Sequence, residues 1–315
     1  MELENTKSII VDGNNLGWMA YGIVPLTHNN RRVEAIFIGL NMVLSYLRSF
    51  EPEKFCVVWD SSRDAERLKI YPNYKRRRKE LSEGEQEERK LFFAQLKGFQ
   101  DLMKTFGIPQ YKVKGREADD VIFSIIDTGD WDGESIIVST DKDFFQALSD
   151  ENIRIYNPVK KMIVGPEDVE KRFDIPIEYV LEYRAMAGDP SDNLPGVKGI
   201  GDKWAAWLVN NIIREEAVDL NGFGSLSNSQ IGKINLLHDN LDTFNLMKKL
   251  MAFKRLSKEE LETGRFEDRP VDLGELQERV IVTLQEYGFE KYLNSLPSFI
   301  KPFEMLWRKG VKDDK

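Results

Sequence analysis

Three short apolar runs, each leading into aspartate residues, dominate the hydrophobic pattern of this chain. They lie at residues 8–15 (SIIVDGNN), 54–60 (KFCVVWD) and 135–143 (SIIVSTDKD). Continuous β-branched runs of this length are typical of strands buried on both faces, as in a parallel sheet. Segments with helical periodicity lie between them, at residues 35–50 and 90–106. This alternation predicts an α/β fold with a mostly parallel sheet flanked by helices.

The aspartates that follow the predicted strands are expected to meet at one edge of the sheet. The carboxyl ends of parallel strands open on the same side, which is where ligands bind. The residues concerned are Asp12, Asp60, Asp141 and Asp143. Strand topology therefore predicts an acidic site built from distant parts of the chain.

Five more acidic residues could join this site, namely Glu117, Asp119, Asp120, Asp189 and Asp192. The first three precede an apolar, helix-like run at residues 121–126, where the helix dipole alone would favour them. If all nine carboxylates share one cleft, they repel one another severely unless cations compensate them. Divalent cations provide such compensation. In two-metal sites, two cations about 3.5–4 Å from each other flank a phosphodiester.

Composition narrows the chemistry further. The 315 residues are 41% hydrophobic and 31% charged, as in a globular protein with a real core, with one cysteine, Cys56, and two histidines, His28 and His238. Zinc sites and Ser-His-Asp catalysis are poorly supported by so few ligands, and an oxygen-ligated ion such as Mg²⁺ or Mn²⁺ fits better. Without a bilayer-spanning run or a secretory signal, we expect a cytoplasmic protein with no membrane partner.

The net charge of −8 hides a strongly basic segment that follows the second predicted strand. Eight lysines and arginines stand between residues 63 and 80 against three acids, and Tyr71 and Tyr74 alternate with them. A solvated charged loop is the plain alternative. Because aromatic rings stack on bases while cations hold phosphates, a phosphate-binding arm over the acidic cleft accounts for more of the pattern.

A glycine-rich stretch follows directly after the last acidic pair, at residues 188–201 (GDPSDNLPGVKGIG). It fails as a P-loop because Asp202 follows Gly201, and it fails as a dinucleotide fingerprint because residue 204 is Trp204. A tight turn leading into a helix remains. Its backbone N–H groups could hold a phosphate without reading base sequence, and a plain connector between two helices is the alternative.

Five motifs in register make the chain resemble the 5′-nuclease superfamily of flap endonucleases and 5′–3′ exonucleases. It is most similar to the stand-alone phage enzymes and to the nuclease domain of bacterial DNA polymerase I. The motifs are DGNN (12–15), WDSSRDAER with YPNYKRRR (59–78), GREADDVI (115–122), STDKDFFQAL (139–148) and AGDPSDNLPGVKGIGDKWA (187–205). The resemblance covers roughly residues 8–210. It implies a PIN-like sheet, a helical arch and a helix–hairpin–helix domain.

The resemblance also implies roles for individual residues. Two Mg²⁺ ions, replaceable by Mn²⁺, would be held by Asp60, Glu117 and Asp119 at one site and by Asp141, Asp143, Asp189 and Asp192 at the other, with Asp12 and Asp120 acting directly or through water. In the arch, Lys75 and Arg78 would contact the scissile phosphate, Tyr74 would stack on a base and Arg67 would bind phosphate nearby. In the glycine loop, Gly196, Lys198, Gly199 and Gly201 would grip duplex DNA, and a K⁺ ion would sit on carbonyls near Val197 and Ile200.

These expectations divide the chain into three parts: an α/β nuclease domain (1–184) with a basic arch at about 68–106, a helix–hairpin–helix domain (185–299) and a C-terminal tail (300–315). The predicted activity is hydrolysis at single-strand/duplex junctions during replication and repair, on 5′ flaps, nicks or RNA primers. We expect a monomer in a bacterial or phage-infected cell, with single-strand-binding or other replication proteins as candidate partners. Two alternatives stay open: a PIN-type ribonuclease and a non-catalytic junction-binding protein.

Overall fold

The computed structural model describes residues 8–62, 64–76, 81–128, 131, 133–214, 226–267, 270 and 272–313, with side chains as far as residue 309. Its strands in chain order are β1 Ser8–Asp12, β2 Thr27–His28, β3 Arg31–Arg32, β4 Lys54–Val58, β5 Gln110–Tyr111, β6 Ser135–Val138, β7 Ile153–Asn157, β8 Met162–Val164 and β9 Arg265–Phe266. Seven of them form one sheet in the order β8-β7-β6-β1-β4-β5-β9. The five central strands are parallel and the two edge strands, β8 and β9, are antiparallel. The predicted α/β sheet is confirmed.

Helices cover both faces of this sheet. In chain order they are α1 Gly13–Ala20, α2 Glu34–Phe50, α3 Ala65–Ile70, α4 Glu83–Thr105, α5 Ala118–Asp127, α6 Pro166–Phe173, α7 Val180–Ala187, α8 Asp202–Leu208, α9 Asn228–Asp239, α10 Leu241–Met251, α11 Lys258–Gly264, α12 Leu273–Glu286, α13 Glu290–Leu293 and α14 Leu296–Asp313. A 3-10 helix spans Lys142–Ser149. The two segments predicted as helices at residues 35–50 and 90–106 correspond to α2 and α4. Among the described helices, none combines the length and the apolar character that a membrane span requires.

Alternating residues of the central strands supply two separate hydrophobic cores. Ile10 and Ile137 face a core shared with α5, α7, α8 and α10. Ile9 and Val11 face a second core shared with α1, α2, α4, α12 and α14. Because both faces are covered, the centres of β1, β4 and β6 are apolar on both faces, which explains their continuous hydrophobic runs.

The C-terminal helices return to the second core. Phe299, Ile300 and Phe303 of α14 are each no more than 2% exposed, and Phe303 packs edge-on against Phe106 at a ring distance of 4.9 Å. Residue 300, where the sequence suggested that a tail begins, therefore lies inside a packed helix. The predicted boundary between a nuclease domain (1–184) and a helix–hairpin–helix domain (185–299) stays a prediction.

The glycine-rich stretch is held against the end of α7 by close backbone contacts. Gly196 has φ +65°, and a Cβ atom at this position would lie 2.4 Å from the Met186 carbonyl oxygen. We expect Gly196→Ala to lower the free energy of unfolding by about 2 kcal/mol or more, because left-handed backbone and a backbone clash add together. Urea unfolding of both proteins measures the change.

Gly201→Ala is the matched control for this substitution. Gly201 lies five residues further along the same stretch, and its φ is −97°. Among the described residues, no heavy atom lies within 4 Å of the place that a Cβ atom would take there. We expect a clearly smaller loss of stability at this position. Equal losses at the two positions would contradict the assignment of strain to Gly196.

Candidate metal centre

The strand ends place acidic side chains at one edge of the sheet, as the sequence predicted. Asp12 is the last residue of β1 and caps α1, accepting a hydrogen bond from the Asn15 backbone N–H at 3.0 Å. Asp60 follows β4, and its Oδ1 accepts from the Ala118 N–H at the start of α5 at 2.8 Å. Asp141 follows β6 and caps the 3-10 helix. Helix starts behind the strands thus fix the orientation of these carboxylates.

The tightest acidic cluster consists of Asp119, Asp141 and Asp143. One carboxylate oxygen from each lies within 4.8 Å of the others. Three convergent carboxylate oxygens form the kind of ligand set that hard divalent cations prefer. Among the described residues, this is the group with the geometry of a metal-binding cluster.

Burial, and after it repulsion between neighbouring carboxylates, raises the pKa values of three aspartates at the acidic edge. Burial, together with the carboxylates of Asp60 and Asp141, raises the pKa of Asp12 to about 7. Burial and the Asp141 carboxylate raise the pKa of Asp119 well above its usual range. Burial raises the pKa of Asp143 to about 7 even though an arginine opposes the shift. A bound cation of charge +2 would favour the ionised carboxylates, so these residues fit the predicted divalent metal.

Glu117 and Asp192 lie beside this cluster and are paired with Lys75. The Lys75 ammonium is 3.0 Å from Glu117 Oε1 and 3.5 Å from Asp192 Oδ2, and the residue is 7% exposed. Although burial acts to lower it, the Glu117 carboxylate holds the pKa of Lys75 well above its ordinary value. Lys75 therefore brings a permanent positive charge to the carboxylates.

Tyr74 occupies a different place from the one that the resemblance implied. Its ring belongs to the first hydrophobic core and is 3% exposed, and its hydroxyl donates to Glu117 Oε2 at 2.8 Å. In this conformation the ring cannot stack on a base. Arg78, the other arch residue expected at the scissile phosphate, lies outside the described residues.

Arg67 and Asp120 also differ from the expected arrangement, because they pair with each other. Two guanidinium nitrogens of Arg67 donate to the two oxygens of Asp120, each at 2.8 Å. Asp120 is fully buried and also accepts from the Lys254 backbone N–H. The pair joins α3 and α5 to the segment after α10, through the Ala252 carbonyl. Arg67 also donates to Glu117 Oε2 at 3.2 Å, so its buried guanidinium is ion-paired with both Asp120 and Glu117.

Arg184 is a site residue that the sequence analysis missed. It lies in α7, is 8% exposed, and its guanidinium contacts both Asp143 and Asp189, the latter at 2.6 Å. Burial acts to raise the pKa of Asp189, but hydrogen bonds from Ser191 and the charge of Arg184 lower it overall. The available signal was an arginine among the mostly apolar residues of the second half of α7, one turn before the last acidic pair.

An open cleft of about 640 Å³ leads to the acidic edge. Its floor includes Asp12, Asp60, Asp119 and Asp141, and its far wall is the first half of α4. On that side Trp18 is 50% exposed and stacks on Phe92, and Arg89 lies over the partly exposed ring of Phe93 at 5.4 Å. Trp18, Arg89 and Phe93 were not picked out from the sequence. The cleft brings the carboxylates within reach of a polymer.

The glycine loop begins directly beside the acidic pair. Asp189 and Leu194 form a two-residue bridge with reciprocal backbone hydrogen bonds of 2.8 Å. Beyond it, the Val197 and Ile200 side chains are buried, whereas Lys198, Gly199 and Gly201 are exposed. The loop is therefore rigidly tied to the acidic site while part of its backbone faces solvent.

Comparison with known proteins gives consistent matches. A family model described as "5'-3' exonuclease, N-terminal resolvase-like domain" matches residues 7–174. DNA polymerase I of Bacillus caldotenax is 27% identical over 93% of this chain, and a 5′–3′ exonuclease of Mycoplasmopsis pulmonis is 24% identical over 96%. The chain spans about a third (32%) of the polymerase and nearly all (98%) of the exonuclease.

Solved structures share the fold. The T5 D15 protein, co-crystallised with metal ions, superposes with a TM-score of 0.66 at 21% identity, covering 89% of this chain and 98% of the T5 protein. At this level of identity the likeness establishes the fold alone.

Proposed function

Because this chain belongs to the 5′–3′ exonuclease family with an N-terminal resolvase-like domain, we propose that it is a metal-dependent, structure-specific 5′-nuclease. It would hydrolyse phosphodiester bonds near single-strand/duplex junctions, such as 5′ flaps, nicks and RNA primers. Its curated relatives are bacterial polymerases and exonucleases, which supports a role in replication or repair in the cytoplasm of a bacterial or phage-infected cell. The observation that carries the proposal is the carboxylate cluster on the floor of an open cleft.

Two divalent cations, with Mg²⁺ the best fit to a carboxylate ligand set, would be held by two neighbouring groups of acids. We assign Asp119, Asp141 and Asp143 to the centre of the site, with Asp12, Asp60, Glu117, Asp189 and Asp192 around them. When bound, such cations lower the pKa of an attacking water and stabilise the departing oxygen. Asp120 is omitted from this set because Arg67 occupies both of its oxygens.

Basic side chains of the protein would assist at the phosphate and at the metal ligands. Lys75 keeps its positive charge beside Glu117 and Asp192, where it can stabilise negative charge that develops on the phosphate. Arg184 holds Asp143 and Asp189 in position from the side of α7. On the cleft wall, Trp18 and Phe93 are partly exposed aromatic residues on which bases of a single strand could stack.

The glycine loop would hold the duplex while the cleft receives the single strand. Exposed backbone at Gly199 and Gly201 and the side chain of Lys198 are suited to sequence-independent phosphate contacts. The bridge between Asp189 and Leu194 would then set the distance between the gripped duplex and the cut bond. Specificity would come from the shape of the DNA rather than from base edges.

Cleavage of a fluorescent 5′-flap substrate tests the proposal directly. We expect short 5′ products in Mg²⁺ or Mn²⁺ and none after EDTA is added, with less cutting of the same strand when it is fully single-stranded. Absence of metal-dependent product from flap, nicked and RNA-primed duplexes would refute the nuclease assignment. Cutting of single-stranded RNA without a duplex would instead favour a PIN-type ribonuclease.

A further inference from the structure

Helix α9 crosses the glycine loop and contacts it through two side chains one turn apart. The Lys233 ammonium donates a hydrogen bond to the Gly199 carbonyl at 2.7 Å. Three residues later, Leu236 lies against the same glycine, since a Cβ at Gly199 would be 3.1 Å from Leu236 Cδ2. Lys233 and Leu236 are on one helix face because residues three apart are neighbours there. The helix therefore covers Gly199 with a cation and an apolar contact.

The ammonium of Lys233 is itself held in place. It lies 5.6 Å from the centre of the Trp204 ring in α8, where the ring face attracts a cation. The loop below is equally fixed: Val197 is 1% exposed and Ile200 3%, and the Ile200 N–H donates to the Val197 carbonyl at 2.9 Å. Gly199, with φ +91°, lies between the buried residues Val197 and Ile200.

This arrangement conflicts with the expected K⁺ ion on carbonyls near Val197 and Ile200. The Gly199 carbonyl, which lies between the two positions, accepts the Lys233 ammonium, and one of the two lone pairs of the Val197 carbonyl accepts the Ile200 N–H. A monovalent ion bound at the same turn would lie close to the charge of Lys233, and like charges repel. The residues of this chain therefore do not fit the ion well.

We propose that Lys233 is the built-in cation of the glycine loop, and that it makes duplex binding by this loop independent of a bound monovalent ion. The proposal rests on the proposed DNA-binding function of the loop. A lysine ammonium presents three donors on a flexible stem, so one side chain can satisfy an outward carbonyl and keep the loop in a single conformation. The covalent tether removes the need to recruit an ion from solution.

Binding of a fluorescent nicked duplex in EDTA, measured in LiCl and in KCl at equal ionic strength, tests this proposal. We expect the wild-type Kd to agree within about twofold between the two salts. Lys233→Met should bind about tenfold more weakly in LiCl and regain at least about threefold of that in KCl, because K⁺ can then occupy the turn. Lys233→Arg, which retains a cation, should be insensitive to the choice of salt.

Lys203→Met is the matched control, because Lys203 is an exposed lysine on α8. It should weaken binding equally in both salts, through loss of general charge alone. A wild-type preference for KCl, or a Lys233→Met variant that behaves like the control, would overturn the proposal.

Thermal unfolding in the two salts tests, without DNA, whether K⁺ can replace the Lys233 ammonium at the glycine loop. KCl should raise the melting temperature of Lys233→Met relative to LiCl and leave that of the wild type unchanged; no difference between the proteins would count against Lys233. Failure of the wild type to bind the duplex in either salt would refute the proposed function of the loop, while the melting temperatures still report on Lys233 itself.

Discussion

Asp143→Ala is expected to lower the rate of flap cleavage by about 1000-fold and to leave the Kd for the same DNA within about threefold. The size follows from losing one ligand of a cation that supplies several kcal/mol to the transition state, about 4 kcal/mol being a factor of about 1000. Asp143 belongs to the tight cluster with Asp119 and Asp141, so its removal takes one of three convergent carboxylate oxygens from the ion. Single-turnover cleavage in Mg²⁺ and anisotropy in Ca²⁺ measure the two quantities.

The stability of this variant separates loss of a ligand from loss of the fold. Removing one acid from a self-repelling cluster should keep or raise the free energy of unfolding without Mg²⁺, and Arg184 retains Asp189 as a partner. Glu151→Ala, which removes an exposed acid away from the cluster, is the control and should cut normally. Cleavage by Asp143→Ala at the wild-type rate would show that the metal assignment is wrong.

The sheet and its acidic edge could be predicted because both depend on the hydrophobic pattern of the strands and on their order along the chain. Residues 8–12, 54–58 and 135–138 are apolar throughout their centres, which is what strands covered on both faces require, and parallel strands must end together. Asp12, Asp60 and Asp141 follow from that argument alone. No packing detail was needed to bring them to one place.

Which of two neighbouring acids faces the site could not be predicted in the same way. Asp119 and Asp120 are adjacent in α5, so their side chains point about 100° apart around the helix. The rotation of α5 on the sheet decides that Asp119 joins the cluster and Asp120 turns to Arg67. That rotation is set by apolar contacts of Val121 and Ile122 with the core, which the local sequence does not specify.

The conformation of residues 74–75 and the packing of the C-terminal helix could not be predicted from the sequence, for different reasons. Tyr74 and Lys75 lie in a turn where Lys75 has φ +53°, and such backbone in a non-glycine residue has no clear sequence signal. In α14, by contrast, the signal was present: Leu296, Phe299, Ile300 and Phe303 follow helical spacing. Pro302 and the charged residues around it obscured a pattern that packing makes plain.

Lys75→Ala is expected to reduce turnover by about 100-fold while changing duplex affinity little. The ammonium is buried against Glu117 and Asp192 at the acidic site, away from the exposed backbone of the glycine loop, so its charge acts on the reacting phosphate rather than on the duplex. Loss of one well-placed donor to a transition state typically costs about 100- to 1000-fold. Single-turnover rates and Kd values on one flap substrate give the comparison.

Thermal unfolding adds a second readout that a purely structural role would not produce. Without the ammonium, Glu117 and Asp192 lose their shared cation, so Mg²⁺ should raise the melting temperature of Lys75→Ala more than that of the wild type. Lys114→Ala, which removes an exposed lysine near the start of the Glu117 segment, should change neither turnover nor the response to Mg²⁺. If Lys75→Ala instead weakens duplex binding and leaves turnover intact, Lys75 contributes to DNA binding and not to the chemistry. The charge that assists the phosphate must then come from another residue.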